Sequence, residues 1–260
     1  MQSGHSKYDG RLPPAEGPVI PNITGPSSRT SSGTSLNSMD SRRGIDYNRL
    51  YAYRFKDVDQ GQRQLVWNEI ATYIYRRMGS PQCVLDPAAG RCEFLNAIPA
   101  RERWAVDAVD NSEYQGPGIT ALVDNVSHVE LPPQYFDGVF VSNFLEHLRT
   151  PDEVAALLTK LWAAMRPNAP VAVIGPNVKY CARQYFDCAD HILSLSHISV
   201  AEHLYAAGFE IESITSRFLP FSFRGLLPPS PLLTRTYLRT SWIWPFLGKQ
   251  FLVIARRPEG

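Results

Sequence analysis

The sequence is short of the features that mark several common protein classes. It has four cysteines in 260 residues, Cys83, Cys92, Cys181 and Cys188, and no two stand in a C-x-x-C pair. That argues against zinc ribbons and disulfide frameworks and favours a reduced, cytosolic setting. Charge of one sign is also missing. The 26 Lys and Arg against 25 Asp and Glu leave a net +1, whereas a dedicated nucleic-acid binder carries a marked basic surplus. No apolar run reaches the ~18 residues of a membrane span, and none follows the basic residues near the N-terminus as in a secretory signal. The first 44 residues lack apolar periodicity and almost all aromatics, and 20 of them are Ser, Gly or Pro. Such a composition cannot bury enough surface to offset the entropy of ordering, so a disordered tail is expected over 1–44 and one ordered domain over 45–260.

What is present alternates between helix and strand. Val66, Ile70, Tyr73, Ile74 and Met78 recur at helical spacing over about 60–78, ahead of a short apolar strand at 83–86. A helix through Phe94, Leu95 and Ile98 is expected to stop at Pro99. Strands follow at Trp104–Asp107 and Thr120–Asp124, and a fourth lies within "FDGVFVSNFLEHL" (136–148). Thr150-Pro151-Asp152-Glu153 reads as a capping box with proline at the first helical position, opening the apolar stripe Val154, Leu157, Leu158, Leu161, Trp162 and Met165. "VAVIG" (171–175) is a fifth strand, and Ser199 with Glu202 reads as a second capping box before a helix ended by Gly208. "FEIESITSRF" and "QFLVIARRP" suit a closing antiparallel pair. The pattern predicts an α/β fold with a mostly parallel sheet covered on both faces.

In such sheets ligands bind beyond the carboxyl ends of the strands, where strand order reverses. The turn in "VLDPAAGRCEF" (84–94) is therefore the first place to look. Its strand ends on Asp86, and the small residues Ala88, Ala89 and Gly90 allow a ligand close to the backbone at the next helix's N-terminus. Asp107 ends the second strand 21 residues later, close to the spacing at which a carboxylate reaches ribose hydroxyls, with Asp110 as the alternative. Asp124 ends the third strand and is placed to accept an adenine amino group. Any one of these acids suits a solvated strand end; three in succession after a glycine turn point to a nucleoside.

"VLDPAAGRCEF", "WAVD", "VDNV" and "FDGVFVSNFLEHL", with the later "RPNAP" and "VAVIGPN", resemble a class I S-adenosylmethionine-dependent methyltransferase over about residues 47–257. "GPNVKY", "YFDCADH", "RFLPF" and "GKQFLVIARRP" are similar to a bacterial subgroup associated with glycan and natural-product sugar pathways. The resemblance implies a Rossmann-like seven-stranded sheet with one antiparallel strand, and S-adenosylmethionine as cofactor. It also implies duties: Asp86 and Ala88 to Gly90 at the methionine moiety, Asp107 at the ribose, Asp124 and Asn125 at the adenine, and Ser142 and Asn143 beneath the sulfonium. The family pattern carries three glycines in the first loop. Here Ala88 and Cys92 stand at the outer two places, and Cys92 is awkward if that place needs positive φ.

Methyl transfer to a hydroxyl benefits from a base. The stretch after the fifth strand, "NVKYCARQYFDCADHILSLSH", offers His191 beside Asp190, then Asp187 and His197, with Glu146 and His147 as the other reachable pair. Asp187, Asp190 and His191 are also weighed as ion ligands, but no companion motif accompanies them and no metal is expected. His191 equally suits a packed loop position, His147 a structural bond, and His128 and His203 the surface. Tyr180, Tyr185 and Phe186 suit either an acceptor-pocket wall or a core plug. Residues 51–60, "YAYRFKDVDQ", are expected to fold over the cofactor. The Pro-rich apolar stretch 219–247 suits a lid, or a peripheral membrane contact through Trp242, Trp244, Arg235 and Arg239 that meets a lipid-linked acceptor. The expected acceptor is a small molecule, a sugar or sugar-bearing metabolite, and not a nucleic acid. Nitrogen or carbon acceptors, and a non-catalytic binding protein with a degenerate cofactor site, are the alternatives.

Overall fold

The computed structural model of the protein describes residues 45–221 and 230–259. The expected tail at 1–44 and part of the Pro-rich stretch, 222–229, lie outside the described residues. Seven strands form one sheet: β1 (Cys83–Asp86), β2 (Glu102–Asp107), β3 (Ile119–Val123), β4 (Gly138–Ser142), β5 (Pro170–Pro176), β6 (Glu210–Thr215) and β7 (Gln250–Arg256), in the order β3-β2-β1-β4-β5-β7-β6. Every pairing is parallel except those of β7, which runs antiparallel to both β5 and β6. The chain winds outward from β1 to β3, then returns to lay β4 on the other side of β1. The order therefore reverses between β1 and β4, which opens a crevice beyond their carboxyl ends.

The central strands β1, β4, β5 and β7 are buried almost throughout because both faces are covered there. Leu85, Val139, Val141, Val171, Val173 and Val253 face one core with Val154, Leu158 and Leu161 of α4 (Pro151–Ala164) and Val200 and Leu204 of α6 (His197–Ala206). Their strand neighbours Val84, Phe140, Ala172, Ile174, Leu252 and Ile254 face the other core, against α2 (Gln60–Arg77) and α3 (Glu93–Ala97). Two further helices, α1 (Tyr47–Arg54) and α5 (Val178–Tyr185), lie in the segments that meet at the strand tips.

Caps set the helix boundaries. The Asp59 side chain accepts from Gln62 N–H at the start of α2. At α4 the Thr150 hydroxyl accepts from Glu153 N–H as expected, but the Glu153 carboxylate reaches past the cap to Arg149 N–H. The second expected box is displaced by one turn. Ser196 caps α6 and Ser199 is its reciprocal partner, because a serine serves at that inner place where glutamate was looked for. Gly208 follows α6 with φ of +92°, a conformation that strains any L side chain, and the Trp162 indole, 3.3 Å from where a Cβ would be, would have to shift slightly to admit one.

The described part of the Pro-rich stretch forms α7 (Pro231–Arg239) and α8 (Trp244–Leu247), and α7 packs on α2. Tyr73 of α2 meets the rings of Phe218 and Trp244 at 5.6 and 5.9 Å, while Arg235 pairs with Glu69. Among the described residues no helix is long and apolar enough to cross a membrane.

Candidate functional site

The tips of β3, β2, β1 and β4 carry Asp124, Asp107, Asp86 and Ser142, on neighbouring strands in that order. Asp86 is 3% exposed, and Ala88 N–H donates to its Oδ1 at 3.2 Å. Burial pushes its carboxyl up to about 8; the Ala88 amide opposes this and the Asp107 charge adds to it. Asp107 holds the loop itself. Gly90 N–H donates to its Oδ2 at 2.7 Å and Val109 N–H to its Oδ1 at 2.9 Å, and burial still raises its pKa above the usual range. Ala89 N–H donates to the Val106 carbonyl, so the whole turn leans on β2. Gly90 has φ of +50° and nothing within 4 Å of where a Cβ would stand, which leaves the backbone open to a ligand.

The other cofactor-side residues are nearer the surface. Asp124 and Asn125 are exposed, and each supports its own turn: Asp124 Oδ1 accepts from Asn125 N–H, and Asn125 Oδ1 from Ser127 N–H and Oγ. Asp110, the alternative ribose ligand, is exposed and accepts from Ser112 N–H. Asn143 adopts φ of +47°, a conformation Asn tolerates, donates its backbone N–H to Ile174 and its side-chain amide to Ser142 Oγ.

On the β4–β5 side, two loops are sewn together. The Glu146 carbonyl accepts from Ile192 N–H (2.8 Å) and Leu193 N–H (3.1 Å), which brings His191 against Glu146 and His147. Glu146 is 2% exposed, and burial raises its carboxyl pKa. The His191 ring lies 5.0 Å from that of His147, and its Nε2 is 4.0 Å from Glu146 Oε1. Burial, then the charge of His147, pushes His191 down to about 4, so the ring is neutral at ordinary pH.

Asp190, next to His191 in sequence, is engaged elsewhere. Asp190 turns to Arg54 of α1, which grips both carboxylate oxygens, and to His147, whose Nδ1 is 2.9 Å from the Asp190 carbonyl. Burial alone would raise the Asp190 carboxyl, but the bond from Arg54 and the charges of His147 and Arg54 outweigh it and hold it low. Asp190 is an anchor because the α1 guanidinium, 136 residues away, captures it. Asp187 is exposed. His197 pairs its Nδ1 with the Asn177 amide at 2.8 Å, in a junction that also takes in the Ser216 carbonyl. Tyr185 is a core plug, fully buried, donating to the Leu193 carbonyl and accepting from Leu195 N–H. Phe186 is exposed and Tyr180 stacks on His197.

Sequence reasoning passed over Arg54 and Arg91. Arg91 lies between the rings of Phe55 (4.9 Å) and Tyr114 (4.7 Å), and the buried part of Tyr51 feels the charges of both Asp190 and Asp107. Residues 51–55 thus span from the glycine turn to the Asp190 loop. The available signal was Arg54 among the aromatics of "YAYRF" and Arg91 directly after Gly90.

No family model matches the chain, and no curated protein does. Solved structures do. An S-adenosylmethionine-dependent methyltransferase from Archaeoglobus fulgidus superposes with a TM-score of 0.55 at 20% identity, covering 81% of this chain and 100% of its own. A Haloferax volcanii protein solved with the Trm112 methyltransferase activator gives 0.60 at 14% identity, covering 82% and 97%. An S-adenosylmethionine-dependent methyltransferase from Mesorhizobium loti gives 0.51 at 16%, covering 72% and 98%.

The chain has the methyltransferase fold.

In that fold the crevice residues fit S-adenosylmethionine on chemical grounds. Its ammonium and sulfonium are cations, and a cation beside Asp86 and Asp107 would favour the carboxylate forms that burial disfavours in the free protein. A carboxylate has about four acceptor positions, so the two amide bonds to Asp107 leave room for ribose hydroxyls. The space over Gly90 is open, with no atom within 4 Å of a Cβ position. The outer glycine places of the methyltransferase loop differ in what they demand. Ala88 needs no left-handed backbone, whereas Cys92 has φ of +56°.

Proposed function

We propose that the protein transfers the methyl group of S-adenosylmethionine to a hydroxyl of a small acceptor, a sugar or a sugar-bearing metabolite. The reading is supported above all by the row Asp124, Asp107, Asp86 and Ser142 on four adjacent strand tips, which suits adenine, ribose, ammonium and sulfonium in sequence. The bound cofactor would supply an already activated methyl. The chain's own task is to align the acceptor, exclude water and remove a proton, and orientation alone supplies about 7–11 kcal/mol in ideal cases. Residues 51–55 close the crevice rim from Asp107 to Asp190. His191, neutral and facing Glu146, is the group proposed to take the hydroxyl proton as the O–C bond forms and the C–S bond breaks.

Calorimetry with S-adenosylmethionine tests the cofactor half. Asp107→Asn is expected to weaken binding at least tenfold, about 1.4 kcal/mol. No heat and no thermal shift at millimolar ligand would instead favour a non-catalytic protein on this fold. A labelled-methyl assay over sugar nucleotides, glycolipids and small metabolites tests the acceptor half. His191→Ala is expected to keep cofactor affinity and slow transfer, and full activity in that variant removes it as the base. Product carrying label on nitrogen or carbon would overturn the hydroxyl assignment.

A lipid-linked acceptor is favoured by one further observation. Leu232, Trp242 and Phe246 are 70%, 73% and 74% exposed in the stretch that carries Arg235 and Arg239. Aromatic and aliphatic groups beside arginines suit a bilayer interface. Sedimentation with anionic vesicles should carry the protein down and lose it in Trp242→Ser/Phe246→Ser; equal recovery of both proteins would dismiss membrane contact.

A further inference from the structure

We infer that Glu146, His147 and His191 bind a divalent first-row transition-metal ion such as Zn2+ or Mn2+. The inference rests on the reading above for its role, but the site itself stands on geometry. One donor atom from each of the three side chains lies within 4.8 Å of the other two. The donors sit on two loops that the Glu146 carbonyl ties together through Ile192 and Leu193, so they are held in place before any ligand arrives. Glu146 Oε1, which faces His191 Nε2, is buried without a hydrogen-bond partner in a side chain 3% exposed.

The spacing suits an ion better than a direct bond. Glu146 Oε1 and His191 Nε2 are 4.0 Å apart, too far to share a hydrogen. In tetrahedral coordination, metal–oxygen and metal–imidazole bonds of about 2.0 and 2.1 Å set two donors about 3.3 Å apart, so the two side chains close by roughly 0.7 Å around an ion. The third ligand is already oriented. His147 Nδ1 lies 2.9 Å from the Asp190 carbonyl, which accepts its hydrogen, so Nε2 is the nitrogen left for an ion once any proton there is displaced. Asp190 is in turn fixed by Arg54, and that pairing neutralises the guanidinium that would otherwise repel a cation. Two imidazoles and one carboxylate suit Zn2+, Mn2+, Fe2+ or Co2+, and not the all-oxygen cages of Ca2+.

Three protein ligands leave coordination positions open. An acceptor with two adjacent oxygens, such as the vicinal diol of a sugar, can fill them as a chelate. The ion then acts as a Lewis acid on the acceptor hydroxyl. That hydroxyl gives its proton to water, its oxygen forms the O–C bond, and the sulfonium C–S bond breaks to leave a neutral thioether. With the ion in place His191 is a ligand, and the cation replaces it as the means of activating the hydroxyl.

The test is titration of the metal-stripped full chain with Zn2+ alone, and with Co2+ followed by its visible absorption. One equivalent is expected to bind at micromolar concentration or tighter, with affinity falling at least tenfold in each of Glu146→Gln, His147→Gln and His191→Gln. Thermal melts establish that each variant is folded. Should Glu146→Gln not fold, the two histidine variants carry the comparison, His147 being the more exposed at 16%. No stoichiometric binding, or binding unchanged in the folded variants, overturns the site. S-adenosylmethionine is titrated into the same samples. Cofactor binding without metal binding refutes the ion alone, and metal binding without cofactor binding refutes the methyltransferase reading while leaving the site.

Discussion

Cys92 occupies the left-handed region, at φ of +56° and ψ of +22°, and its side chain is 1% exposed in the core under α2 and α3. Two effects oppose each other there. A Cβ in that conformation costs about 1–2 kcal/mol, while the buried thiol contributes packing of similar size. Removing the side chain in stages separates them. Cys92→Gly is expected to be more stable than Cys92→Ala by about 1 kcal/mol in urea unfolding, the reverse of the order in a helix interior. Equal stabilities would show that the backbone relaxes. Asp86 gives a second prediction. Its carboxyl is protonated below about 8 in the free protein, and a cationic ligand selects the carboxylate, so binding expels a proton. Affinity for S-adenosylmethionine should therefore rise with pH, approaching about tenfold per unit below neutrality. Asp86→Asn should flatten that slope, and calorimetry in buffers of different ionisation enthalpy should count the proton.

The elements differ in how far they can be read from local pattern. The helix 60–78, the strand 83–86 and the start of α4 are set by periodicity and caps, and they stand where the pattern puts them. The start of α6 was misplaced because Ser196 and Ser199 both satisfy a capping pattern, and only the hydrogen bonds decide which is outside the helix. The Pro-rich stretch was read by composition alone. Packing shows that Trp244, 7% exposed, joins Phe218, Tyr73 and Leu238 to hold α7 on α2. Trp244→Ala should cost about 3–5 kcal/mol, measured by chemical denaturation. A loss below 1 kcal/mol would mean that α7 and α8 are not part of the cooperative core.

At the scale of the whole molecule, β7 is the strand on which closure depends. It lies between β5 and β6 although it is the last strand in the chain, and among the described residues β6 has no other strand beside it. Removing residues 250–260 should therefore abolish cooperative unfolding and the near-UV circular dichroism of the packed aromatics. A native-like spectrum would show the sheet to be stable without its antiparallel member. Saturating cofactor should act in the opposite sense, by about 2.7 kcal/mol at a hundredfold excess over Kd.

The sequence by itself determined the sheet, its two covered faces and the acids at its tips, because each follows from residues a few positions apart obeying a period or a turn rule. Tertiary structure alone decided that Asp190 belongs to Arg54, that Glu146, His147 and His191 share one buried corner, and that Cys92 bears a left-handed backbone. Those outcomes depend on which loops meet at the crevice and on what each leaves unpaired there. Loops far apart in the chain meet without any local signature.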